Sequence, residues 1–146
     1  MEPLAPNRWR RPIMVAVVAA LMVITGCGPA EPTSPSATPA VRVATFRVAD
    51  SETFRVELAT PELVAHAEKL LAGEDVAAIP VGRVVRGDPG PNEPWTWHLD
   101  PATVAFADAT TEVCDGLPSY VEDETITSDD YCPWSAKIVS IESFPG

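Results

Sequence analysis

The chain predicts a small α+β domain, a mostly antiparallel sheet with one main helix packed on one face and one disulfide. Three observations carry that expectation. Several short segments alternate apolar and polar residues, the signature of half-buried strands. One segment, Thr60 to Gly73, has the punctuation and apolar spacing of a helix. Two cysteines, Cys114 and Cys132, remain to pair once a third is assigned to an N-terminal anchor.

In order, Arg42 to Ala49 and Thr53 to Leu58 read as strands, with Phe54, Val56 and Leu58 on one face and Thr53, Arg55 and Glu57 on the other. The polar Asp50-Ser51-Glu52 between them predicts a hairpin. Thr60 is placed to cap a helix that Pro61 opens and Gly73 ends; Leu63, Val64, Ala67, Leu70 and Leu71 form its apolar arc. Ile79 to Arg86 is β-rich, and Gly82 inside it predicts a bulge or a close backbone approach. Gly87 to Pro94 reads as a loop, Trp95 to Leu99 as a strand ended by Pro101, Thr103 to Ala107 as another strand, and Ser135 to Ile141 as the last. Strands with one helix and antiparallel connections make the class α+β.

Ahead of this domain, residues 1–26 read as a lipoprotein signal peptide. Arg8, Arg10 and Arg11 form its positive region, Ile13 to Thr25 its apolar region, and Leu21 to Cys27 resemble a lipobox. A thirteen-residue helix rises about 20 Å, short of a bilayer core of about 30 Å. The segment is therefore expected to be cleaved, leaving a lipidated Cys27 as the new N-terminus. Two acyl chains there would anchor stably, at about 0.8 kcal/mol per buried methylene. Residues 27–41 then form the lipidated cysteine and a Pro/Ser/Thr-rich linker, and 42–146 the globular domain. These features predict a lipid-anchored protein on the extracytoplasmic side of a bacterial membrane.

The full chain carries a net charge of −11, and losing the leader takes this to about −13. Nucleic acid is thereby disfavoured as a partner. From Asp88 onward one basic residue, Lys137, faces twelve acidic ones. An exported domain with Cys114 and Cys132 most economically pairs them.

The stretches Phe54-Arg55-Val56-Glu57-Leu58, Leu70-Leu71-Ala72-Gly73, Gly82-Arg83-Val84-Val85-Arg86-Gly87, Trp95-Thr96-Trp97-His98-Leu99-Asp100-Pro101, Glu112-Val113-Cys114-Asp115-Gly116 and Tyr131-Cys132-Pro133-Trp134-Ser135 resemble, in that order and spacing, the N-terminal domain of a slime-mould calmodulin-binding protein family. The resemblance implies a shared fold and, by the family's name, calcium or calmodulin biology. It implies no catalytic residue set.

Three groups of residues could carry function. Glu122, Asp123, Glu124, Asp129 and Asp130, inside the Cys114 to Cys132 loop, are oxygen ligands of the type calcium takes, although without EF-hand spacing; the alternative is a solvated acidic loop. Trp95 and Trp97 are either core or a stacking platform for sugars. His98 and Asp100, with Asp115 or Glu112 as a third member, form the one set suited to acid–base work, against the reading of ordinary surface polar residues. The sequence as a whole predicts a non-enzymatic binding module for an extracytoplasmic protein or glycan, with calcium as an optional aid. The alternatives are a hydrolase-type enzyme using His98 and Asp100, or a passive envelope component.

Overall fold

The computed structural model describes residues 40–144. The signal peptide, Cys27 and all but the last two residues of the linker lie outside them. Among the described residues, no helix is long and apolar enough to cross a membrane.

Strands β1 (Val41–Val48) and β2 (Glu52–Leu58) form the expected hairpin, in register from Arg42 opposite Leu58 to Val48 opposite Glu52. Its tight turn holds Ala49 and Asp50 at φ 48° and 54°, the paired left-handed geometry that matches strand twist in short hairpins. Alternation decides the faces. Ala44, Phe46, Val48, Phe54, Val56 and Leu58 are all buried, and the residues between Phe54 and Leu58 are less so.

Helix α1 (Pro61–Leu71) starts where Thr60 Oγ1 accepts the Leu63 N–H at 3.3 Å. It stops at Gly73, φ 80°, where the Gly73 N–H reaches the Leu70 carbonyl and the Glu74 N–H the Lys69 carbonyl, each at 3.0 Å. Ala67 is buried and Leu63 and Val64 pack on the core, but Leu71 is 46% exposed, so the apolar arc is narrower than its sequence suggests.

Strand β3 (Ile79–Arg86) pairs with β4 (Trp97–Leu99), β5 (Ala105–Ala107) and β6 (Asp130–Tyr131), all antiparallel. Between β5 and β6 lies a short helix, α2 (Pro118–Glu122). Strand β7 (Lys137–Phe144) returns to pair with β1. The strands thus divide into two antiparallel sheets, β2-β1-β7 and β4-β3-β5 with β6 also on β3. Gly82 is a close approach. A Cβ there would stand 3.2 Å from the Leu99 side chain.

The sheets share one core in which Phe54 meets Phe46 at 5.6 Å, Tyr131 edge-on at 5.3 Å and Trp97 at 6.2 Å. Cys114 and Cys132 form the expected disulfide, with Cα atoms 5.1 Å apart.

Two sheet edges are managed by side chains. On β2, the Arg55 N–H donates to Asn92 Oδ1 at 2.7 Å, and the Thr53 carbonyl accepts the Trp95 indole N–H at 2.8 Å. The Trp95 N–H is itself taken by the Asn92 carbonyl and the Thr96 N–H by Glu122. With those groups engaged, the strand expected from Trp95 begins only at Trp97. On β7, the register with β1 skips Val139, a bulge that disturbs the edge next to Lys137.

Candidate functional site

The loop closed by the disulfide is organised around α2, which lacks a side-chain cap of its own. Glu52, at the start of β2, supplies one from afar. Its carboxylate accepts the Ser119 N–H and hydroxyl, each at 2.9 Å, which places negative charge where a helix leaves N–H groups unpaired. At the other end, the Arg86 guanidinium donates to the Val121 carbonyl and, at 2.8 Å, to the Ile126 carbonyl.

This clamp accounts for the acidic run. Glu122 accepts from both the Thr96 N–H and hydroxyl at 2.9 Å. Asp123 accepts the Thr125 N–H at 2.9 Å, and the hydrogen bonds of the Thr125 side chain and backbone hold its carboxyl below the usual range. Glu124 sits at φ 61°, while Asp129 and Asp130 engage β3 through the Asp129 carbonyl and the Arg83–Asp130 pairing. The five carboxylates are not brought together. Among the described residues, no three His, Cys, Asp or Glu side chains are grouped as a metal site.

His98 and Asp100 point their chemistry elsewhere too. His98 Nδ1 donates to the Asp88 carbonyl at 2.7 Å, with the ring against Gly90. Asp100 Oδ1 accepts the Ala102 N–H at 3.0 Å, and Asp115 Oδ1 accepts the Trp134 N–H at 2.7 Å. Each of the three organises a local turn or contact.

The tryptophans separate into three environments. Trp97 is 1% exposed and belongs to the core; Trp95 is half-buried and bonded to β2. Trp134 is 44% exposed. Its indole N–H donates to Thr110 Oγ1, and its backbone is fixed by Asp115, two residues beyond Cys132. Together with Ile79, Asp108, Ala109 and Thr110 it lines a mainly apolar groove of about 230 Å³. Sequence reasoning assigns Trp134 to packing beside the disulfide and the platform to Trp95 and Trp97. The exposed ring is instead Trp134, and the Cys132-Pro133-Trp134 run is its only signal in the sequence.

Below this surface lies Tyr131, fully buried, whose hydroxyl donates to the Gly116 carbonyl at 2.9 Å. Burial, and then the negative charges of Asp115 and Glu52, push its phenol well above the ordinary value of 10. A phenol raised on folding stays protonated while the unfolded chain ionises. Its stability contribution is therefore complete below about pH 10 and is lost as pH rises above that towards the folded value. The melting temperature is expected to fall more steeply above about pH 10 in the native protein than in Tyr131→Phe. Parallel pH profiles in thermal melts would contradict it.

Comparison with known proteins adds one assignment. Neither the curated proteins nor the solved structures contain a match. The family model for the N-terminal domain of the calmodulin-binding protein matches residues 41–145, a span that covers every strand and helix described above. On that match, the chain belongs to the family of this calmodulin-binding protein N-terminal domain.

Proposed function

We propose that this protein is an exported, lipid-anchored, non-enzymatic module that binds an extracytoplasmic protein or glycan through the Trp134 groove. The observation that carries the reading is the exposed Trp134 ring, held from two sides beside a disulfide. A large aromatic surface left partly in water contributes less to folding than a buried one. Fixed in advance, it loses little side-chain freedom when a ligand covers it. The dispersal of His98, Asp100 and Asp115 into separate contacts favours binding over acid–base chemistry. Calcium is not part of the proposal, because Glu122 is committed to Thr96 and Asp123 to Thr125.

Two substitutions test the two halves of this reading. Cys27→Ala is expected to prevent incorporation of labelled fatty acid and release the protein from the membrane fraction; continued labelling would refute the anchor. Trp134→Ala is expected to weaken capture of the envelope component that the native chain retains by about tenfold or more, the loss typical of a well-placed aromatic anchor. Its melting temperature should stay within a few degrees of native. Undiminished capture by Trp134→Ala would refute the contact site.

A further inference from the structure

The outer face of the β2-β1-β7 sheet carries a second, independent feature. Across the three strands, one row reads Thr53, Arg47, Lys137 and the next Arg55, Thr45, Ser140, each residue opposite its neighbour in register. Alternation turns these six side chains away from the core, since Ala44, Phe46, Val48, Phe54 and Val56 are buried. Every one of the six can donate a hydrogen bond, and three carry positive charge.

That grouping is unusual in so acidic a chain. Of the seven basic residues from Arg42 onward, Arg42 is paired with Glu68 and Arg86 is spent on carbonyls, while Arg47, Arg55 and Lys137 collect here. Arg47 and Lys137 stand directly opposite, an arrangement of like charges that costs stability in a sheet. The only counter-charge among the described residues is Asp50, 3.6 Å from Lys137, in a pair whose side chains are 70% and 75% exposed and therefore contribute little. Glu52, the nearest other carboxylate in the hairpin, is turned to Ser119. The repulsion is thus left for a ligand to relieve.

The shape of the ligand follows from the next row. Glu57 and Glu142 flank Val43, about 7 Å further along the strands. A lipid plane or a nucleic-acid duplex would cover both rows and meet those carboxylates. A narrow anionic chain can lie across the cationic rows alone, and the flat sheet suits an extended polymer. We propose that Arg47, Arg55 and Lys137, with Thr45, Thr53 and Ser140, bind an acidic polysaccharide through its carboxylate or phosphate groups. This surface goes beyond the Trp134 reading and does not use that residue.

The test uses the full chain in detergent micelles, with polygalacturonate as the acidic probe and dextran as the neutral one. Polygalacturonate is expected to bind at low ionic strength and to dissociate as salt is raised, with no binding to dextran. Arg47→Glu combined with Lys137→Glu should weaken binding by about tenfold or more, and Glu57→Gln with Glu142→Gln should strengthen it. Trp134→Ala should leave it unchanged, so that failure of the groove and failure of this face are separable. Arg47→Thr is expected to lose affinity while raising the melting temperature slightly, as relief of like-charge repulsion requires. Absence of binding, binding that survives the double charge reversal, or equal binding to duplex DNA or phosphatidylglycerol vesicles would overturn the proposal.

Discussion

Asn92→Ala is expected to lower the stability of the domain by about 3 kcal/mol, because it strands two buried backbone groups at once. Asn92 is 1% exposed. Its Oδ1 accepts the Arg55 N–H at 2.7 Å and its Nδ2 donates to the Trp97 carbonyl at 2.9 Å. A single amide therefore closes the edge of β2 and ties it to β4, across the junction of the two sheets. Each unpaired buried group costs about 1–3 kcal/mol, and alanine can reach neither. For a domain of this size, 1 kcal/mol corresponds to roughly 4–8 °C, so the melting temperature should fall by roughly 15 °C. Asn92→Asp keeps an acceptor for Arg55 but loses the donor to Trp97 and buries a charge, so it should do no better. A change of only two or three degrees in either variant would show that the junction does not depend on this residue.

Replacing Cys114 and Cys132 together with Ala is expected to cost a similar amount. The bond spans 18 residues, and closing a loop of that length restricts the unfolded chain by about 3 kcal/mol in the entropy model. The effect should also be local. Glu52 and Arg86 still grip α2 from outside the loop, whereas Trp134 depends on Asp115, the residue next to Cys114. Thermal melts with and without reductant should differ by more than roughly 10 °C. Hydrogen exchange should rise more at Trp134 than at Ser119. Superimposable melts, or loosening centred on α2, would contradict this account.

Local pattern made much of the fold legible. Phe54, Val56 and Leu58 repeat every second residue because one face of β2 is core, and Thr60, Pro61 and Gly73 punctuate α1 for reasons that act within a single turn. What stayed hidden rests on partners distant in the chain. Asn92 meets Arg55 across 37 residues, and Glu52 meets Ser119 across 67, so neither leaves a local trace. The division into two sheets depends on such contacts, as does the late start of β4. Trp95 and Trp97 show the same limit. Spaced as one strand face, they resemble a pair, yet Asn92 and Thr53 draw Trp95 out of the strand while Trp97 enters the core. The acidic run of the disulfide loop invited a metal reading because composition reports carboxylates and not their commitments to Thr96 and Thr125.

The proposal that Trp134 presents a prearranged contact surface is tested most directly by intrinsic tryptophan fluorescence, during titration with neutral and acidic oligosaccharides and with envelope protein fractions. Trp97 is shielded and Trp95 half-buried, so among the described residues Trp134 is the ring a ligand can reach. A saturable change in emission that disappears in Trp134→Ala and persists in a Trp95→Phe variant is the expected result. A saturable change that persists in Trp134→Ala, or no change with any ligand the protein demonstrably binds, would contradict it.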